Sequence, residues 1–157
     1  MALFSSTYPI RFSDVDHAGI LYYPRFLHYF HCCFEDFFER GLGIRYSHLL
    51  DVERIGFPTV HMEVDYLKPL RFGDHVEISL GVQKIGTKSI TWTYTGDTAR
   101  DNKKVRAVEA SLVTVCLDMD SFTGVGLPQK YRDLFKKWMV PDSHRTGLYK
   151  VVKPVDG

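Results

Sequence analysis

Between Pro24 and Arg40 the apolar residues Phe26, Leu27, Phe30, Phe34, Phe37 and Phe38 recur at helical spacing, with Glu35, Asp36, Glu39 and Arg40 on the other side. His28, His31, Cys32 and Cys33 widen the low-charge face, so the polar part is only a narrow stripe. A helix of that kind has to be wrapped by other structure. Pro24 suits its first turn, because proline needs no N–H there and its φ is already helical. Gly41-Leu42-Gly43 suits its end, since glycine takes the left-handed conformation without a Cβ penalty.

The wrapping is legible in the rest of the chain. Tyr8 to Phe12 alternates apolar and polar side chains and predicts a short strand, followed by a loop at the Ser13-Asp14 cluster. Residues 44–57 read as a helical turn and loop. From Pro58 to Leu67 the side chains of Val60, Met62, Val64 and Tyr66 oppose His61, Glu63 and Asp65, the pattern of a strand with one buried face. Lys68 to Asp74 breaks the pattern with a proline and a Gly-Asp turn. Val76, Ile78, Leu80 and Val82 then alternate, as do Ile90, Trp92 and Tyr94 beyond the Gly86-Thr87 turn. Asp101 to Lys104 turns the chain into a long strand from Val105 to Leu117, apolar on nearly both sides in its second half, as a central strand would be. A loop at Asp118 to Gly126 precedes a short amphipathic helix from Pro128 to near Met139.

The reading is an α+β fold in which an antiparallel sheet of about five strands wraps one long central helix. With 157 residues, one domain over 1–140 and a loosely attached tail over 141–157 are expected. Twenty Lys+Arg against 19 Asp+Glu give no global field for nucleic acid or an acidic membrane surface, so neither partner is expected. No run of 18 uncharged apolar residues appears, and Met1 to Tyr8 lacks a basic segment leading into an apolar one. Three cysteines, two of them adjacent in an apolar helix, suit a reducing compartment. A soluble, unprocessed, cytoplasmic protein is therefore expected.

Chemistry concentrates in Phe12-Ser13-Asp14-Val15-Asp16-His17-Ala18-Gly19-Ile20-Leu21-Tyr22-Tyr23-Pro24. Calcium fails on register, because the fifth and twelfth positions of an EF-hand loop would be Ala18 and Arg25. His28, His31 and Cys32 lack a further ligand at metal spacing, so no metal is expected. No G-x-S-x-G turn offers a serine nucleophile, and Cys32 and Cys33 sit inside the apolar helix, where burial raises a thiol pKa. What remains is a carboxylate beside a helix N-terminus. Unpaired N–H groups there polarise a carbonyl, and either Asp14 or Asp16 could attack it or activate water. Simple capping would need the helix to start much earlier, since Asp16 precedes Pro24 by eight positions.

The segment from Asp14 to Pro24 resembles the active-site signature of the 4-hydroxybenzoyl-CoA thioesterase family, of hotdog fold. The likeness extends to the long helix, the Gly41-Leu42-Gly43 exit, the Pro58-Thr59 strand entry, the Pro69 to Asp74 turn and the strands up to Leu117. It implies an acyl-CoA thioesterase in which Asp16 is nucleophile or general base, Asp14 supports it, Gly19 permits the loop turn, and the Tyr23 N–H polarises the thioester carbonyl. Tyr22, Leu27, Thr59, Val60 and His61 would border the acyl group, the last three contributed by a partner subunit. A homodimer at least, commonly a homotetramer, is implied, and the only cofactor-like molecule is the coenzyme A of the substrate. Lys84, Lys88, Arg71 and Arg100 are the candidates for its phosphates, Lys88 standing where the family has a basic residue.

Two residues depart from the pattern. His17 stands where the family prototype has proline, next to Asp16, and is expected to support it by shifting its pKa or holding it through a hydrogen bond. Pro24 stands where the branch acting on short aliphatic acyl-CoAs has histidine, which tilts the expected substrate towards aromatic or other bulky acyl groups. Two alternatives remain at this level: a hotdog hydratase or dehydratase using His17, His28 or His31, and a non-catalytic module binding acyl-CoA or an acyl carrier. The acyl group, the carrier and the choice between anhydride and water attack are not legible in the sequence.

Overall fold

Period-two alternation between residues 75 and 115 produces three long strands joined by tight connections, and these form the middle of the sheet. In the computed structural model, which describes residues 3–141, they are β4 (His75–Ile85), β5 (Ser89–Arg100) and β6 (Lys103–Val115). Before them come β1 (Phe4–Pro9), the long helix α1 (Arg25–Asp36), the short helix α2 (Tyr46–Asp51), β2 (Ile55–Gly56) and β3 (Thr59–Tyr66). After them come β7 (Leu117–Asp118), β8 (Thr123–Gly124) and α3 (Gln129–Lys136). The five-stranded sheet runs β1-β4-β5-β6-β3, antiparallel throughout, and packs against α1. This is the expected α+β architecture. The expected tail lies, past Pro141, outside the described residues.

Several elements differ from the sequence expectation for identifiable reasons. The first strand is Phe4–Pro9 rather than 8–12, because its register is set by β4, from Phe4 opposite Leu80 to Pro9 opposite His75. Phe12–Asp14 instead curls into one 3-10 turn, stabilised where the Asp14 carboxylate accepts the Arg11 N–H at 3.0 Å. Pro24 sits just before α1, with Arg25 and Phe26 donating back to Tyr22 and Tyr23 over three residues. The helix then widens into a π turn over Phe37–Gly41, where Leu42 N–H donates to the Phe37 carbonyl at 2.9 Å. Gly41 is required by packing, since a Cβ there would lie 2.9 Å from the Phe37 ring; the positive φ of 72° falls at Gly43.

Turn chemistry is sharpest between β5 and β6. Asp101 and Asn102 both take positive φ, 50° and 60°, between the paired residues Arg100 and Lys103, the two-residue turn that matches strand twist. The segment expected as a loop after Leu117 carries β7 and β8, which join β2 in a small second sheet. Beyond α3, the Val82 N–H donates to the Trp138 carbonyl and the Val82 carbonyl accepts the Val140 N–H, so the chain around Met139 continues along β4 where β1 has ended.

The core is aromatic. Phe30, Phe37, Phe38, Trp92, Tyr131 and Phe135 are all but fully buried, and Trp92 meets Phe34 and Phe135 edge-on at 5.2 and 5.1 Å. Most of the aromatic side chains of α1 are therefore packing residues. β6 is not buried on both faces as expected; it alternates, with Ala110, Leu112 and Thr114 under the helix. β3 departs further. It lies at the sheet edge and α1 covers it only in part, Phe26 meeting Tyr66 at 5.4 Å, so that Val60, Met62 and Tyr66 remain 59%, 43% and 47% exposed instead of forming a fully buried face. No helix among the described residues is long and apolar enough to cross a membrane.

Candidate active site

Backbone bonds fold residues 14–22 into a small hairpin. Asp16 N–H donates to the Ile20 carbonyl, Gly19 N–H to that of Asp16, and Tyr22 N–H to that of Asp14, each at 2.9 Å. Gly19 has φ 77°, a conformation that side chains rarely adopt, so the turn depends on glycine. Asp16 stands exposed beside this turn. Its Oδ1 accepts the Ala18 N–H at 2.8 Å, and its Oδ2 has no partner among the described residues. His17, also exposed, makes no side-chain hydrogen bond to Asp16.

Asp14 is built in the opposite way. It is 7% exposed; Oδ2 accepts both the Arg11 N–H and the Tyr29 hydroxyl, and Oδ1 lies 3.8 Å from Arg25 Nε. Burial, then the hydrogen bond to Asp14, push the Tyr29 hydroxyl well above its ordinary pKa, so it remains a donor. Asp14 thereby fastens the hairpin to α1. Across the hairpin, the N–H of Tyr23 has no acceptor among the described residues, and Pro24 has no N–H to offer. The Tyr22 and Tyr23 rings are 48% and 61% exposed, with Tyr23 also edge-on to Tyr66 of β3 at 6.1 Å. One free carboxylate oxygen and one free helix-start N–H thus belong to the same short stretch.

A cavity of about 220 Å³ opens between α1 and the sheet, walled by Leu27, Phe30, His31 and Phe34 of the helix, Phe57, Thr59 and Met62, and Tyr94, Leu112 and Thr114. Of the residues expected to border an acyl group, Leu27 and Thr59 line it; Tyr22, Val60 and His61 do not. A β-bulge explains Val60. Thr59 and His61 sit opposite adjacent residues of β6, Thr114 and Val113, so Thr59 takes the inward position that strict alternation assigns to Val60. His61 bonds Glu63 instead, at 3.1 Å. His31, weighed from sequence only as a metal ligand or a hydratase histidine, lines the cavity from the low-charge face of the helix. Tyr94 is not among the residues the sequence points to, because a lone tyrosine in an alternating strand carries no signal.

The basic candidates fall at opposite ends of the sheet. Arg71 bridges Ile20, beside the Asp16 turn, and Arg100 is tied to Asp74 at 3.2 Å and to the Pro69 carbonyl. Lys84 and Lys88 flank the β4–β5 connection, roughly 30–35 Å away at the other end of the 12-residue strand β5. That far end is also where β3 begins, since Thr59 pairs with Thr114 and the next residue of β6, Val115, with Ser89. The Asp16 turn and Tyr23 instead lie by Tyr66, where β3 ends.

The cysteines offer no ready thiolate. Burial pushes Cys33 up to about 12 and also raises Cys32, whose Sγ lies 3.5 Å from His28 Nε2, and Cys116. No cluster of three or more His, Cys, Asp or Glu side chains suited to a metal occurs among the described residues.

Residues 10–142 match the family described as the thioesterase-like superfamily. A 1,4-dihydroxy-2-naphthoyl-CoA hydrolase from Nostoc punctiforme is 33% identical over 121 residues, covering 77% of this chain and 78% of the relative. The crystal structure of a 1,4-dihydroxy-2-naphthoyl-CoA thioesterase from Synechocystis superposes with a TM-score of 0.75 at 20% identity, over 89% of this chain and all of that one. A 4-hydroxybenzoyl-CoA thioesterase complexed with 4-hydroxybenzoyl-CoA gives a TM-score of 0.79 at 17% identity, over 85% of this chain and 98% of that one. At these identities the two structures show the fold, which is the hotdog fold.

Proposed function

This chain belongs to the thioesterase-like superfamily and is an acyl-CoA thioester hydrolase, and from that premise we propose that Asp16 and the Tyr23 N–H perform the hydrolysis of an aromatic acyl-CoA. The observation that carries the assignment is the free Asp16 oxygen on the hairpin whose other arm leads to an unpaired N–H at the start of α1. The Tyr23 N–H donates to the thioester carbonyl and to the oxyanion that forms from it. Asp16 attacks the carbonyl carbon, breaking the C–S bond and leaving an acyl–Asp16 anhydride that water then hydrolyses, or it takes a proton from a water that attacks the carbonyl and breaks the C–S bond directly. Either way one water is consumed, its oxygen completing the carboxylate and one of its protons the CoA thiol. No cofactor enters this scheme. The relatives named for a dihydroxynaphthoyl thioester support a hydroxylated two-ring acyl group, and the aromatic cavity walls fit such a ring.

A second copy of the chain completes the site in this reading. An eight-residue edge strand with exposed Val60, Met62 and Tyr66 is what monomeric proteins avoid, and pairing with its own copy covers it. Identical edges related by a two-fold axis run antiparallel. The Thr59 end of one β3 then meets the Tyr66 end of the other, bringing the partner's Thr59, Val60 and His61, with its Lys84 and Lys88, towards Tyr23, Asp16 and Arg71. Val60, turned away from its own cavity, acquires a role there. Two such dimers forming a tetramer are the further assembly proposed, with the exposed rings of Phe12 and Phe72, 6.0 Å apart, offering an apolar surface away from β3. Three free cysteines support a reducing, cytoplasmic setting.

Turnover by Asp16→Asn tests the assignment, followed as thiol release from benzoyl-, hydroxybenzoyl- and hydroxynaphthoyl-CoA. A loss of roughly a thousandfold or more is expected, within the range for removing a nucleophile or general base. Wild-type rates in the variant would overturn it.

A further inference from the structure

Tyr94 lines the cavity from β5, with its ring 4.9 Å from that of Phe30. The residue is 3% exposed, and no described group donates to or accepts from its hydroxyl. Buried hydroxyls are almost always paired, so one left free on a cavity wall marks where a ligand's polar atom belongs. The other polar side chains on that wall are differently placed. Thr114 Oγ1 already accepts the Trp92 Nε1–H at 2.8 Å, while Thr59 and His31 are exposed at the cavity mouth, His31 with Nε2 3.6 Å from Glu35.

We propose that the Tyr94 hydroxyl selects aromatic acyl groups carrying a hydrogen-bonding ring substituent, foremost a phenolic hydroxyl, seated between α1 and the sheet. This rests on the thioesterase reading and names the specificity residue of that site. Phe30, Leu27, Met62 and Leu112 supply flat and aliphatic surface for the ring itself. The volume, about 220 Å³, exceeds the roughly 150 Å³ of an apolar cavity that takes a benzene, which leaves room for a second ring or for substituents. Burial holds the Tyr94 hydroxyl protonated, so it both donates and accepts, as does a phenol. An apolar slot discriminates poorly between rings of like shape, whereas a buried hydroxyl awaiting a partner discriminates against the ring that lacks one.

The test compares kcat/KM for hydroxynaphthoyl-CoA and naphthoyl-CoA in the wild type and in Tyr94→Phe. The wild type should prefer the hydroxylated thioester, and the variant should lose about three- to tenfold of that preference, the value of one neutral hydrogen bond. The melting temperature of the ligand-free variant should not fall, because the hydroxyl removed has no partner among the described residues. Binding of the two free acids, measured by calorimetry, should show the same loss of preference. An unchanged preference in Tyr94→Phe, with the wild type active and Asp16→Asn inactive, overturns this proposal and leaves the thioesterase reading standing. A wild type inactive on every aromatic thioester overturns both.

Discussion

Asp14 and Asp16 are two residues apart, chemically identical, and set to different work by their surroundings. Asp14 is buried with both oxygens engaged, so Asp14→Asn should weaken the Arg11 and Tyr29 bonds and cost about 1–3 kcal/mol of stability. The melting temperature should drop by several degrees, at roughly 2–4 °C per kcal/mol for a chain of this size. Asp16 is exposed and, among the described residues, its side chain is bonded only to the Ala18 N–H, so Asp16→Asn should change stability by no more than about 0.5 kcal/mol while removing turnover. Thermal melts of both variants beside their rates check the division; a D16N melt as low as that of D14N would show that Asp16 also holds the fold. Gly19→Ala should fall between them. A Cβ there meets nothing within 4 Å, but the φ of 77° strains any L-residue by about 1–2 kcal/mol, and relief of that strain would turn Asp16 away. The residues themselves showed that a carboxylate and a helix start share this stretch; which carboxylate is free was implied only by family resemblance, because burial depends on Tyr29 and Arg11 folding back.

At the scale of elements, β1 is fastened to the end of α1 by one carboxylate. Asp36 Oδ2 accepts from Ser6 Oγ at 2.7 Å and from the Tyr8 hydroxyl, and Arg40 bonds both Ser6 and Asp36. Burial alone would raise the Asp36 pKa, but the hydrogen bonds from Tyr8 and Ser6 and the charge of Arg40 outweigh it and hold the carboxyl below its ordinary 3.8. A folded pKa below the unfolded one contributes stability that is present above the unfolded value and lost as pH falls through the folded value. Thermal melts from pH 6 to 2.5 should therefore fall less steeply below pH 4 in Asp36→Asn than in the wild type; parallel curves would assign the acid sensitivity elsewhere. The main elements were legible because periodicity reports burial directly, in α1 and in the strands from His75 to Val115. The two-residue strands β2, β7 and β8 were not, since two residues carry no period. Nor was the bulge at Val60, which leaves composition unchanged and reverses which side chains face the helix.

For the whole molecule, the sequence pattern of β3 describes a half-buried strand, yet in one chain Val60, Met62 and Tyr66 remain largely exposed and only Val64 is half-buried. The proposed pairing of β3 with a second copy would resolve that mismatch, since alternation can encode burial between chains as well as within one. If two-fold pairing of β3 brings the Asp16 of one protomer to the Thr59 region of the other, each site draws on both chains, and defects in the two halves can be separated. Asp16→Asn kills the turn side, and Thr59→Trp fills the cavity mouth. Each variant alone should be inactive. Mixed in equal amounts under conditions that exchange subunits, half of the dimers are hybrids, and each hybrid carries one doubly defective site and one intact site. Activity should recover to about a quarter of the wild-type level. Were each site instead built within a single chain, every site in the mixture would carry one defect and no activity would return, so the size of the recovery decides between a shared and a self-contained site.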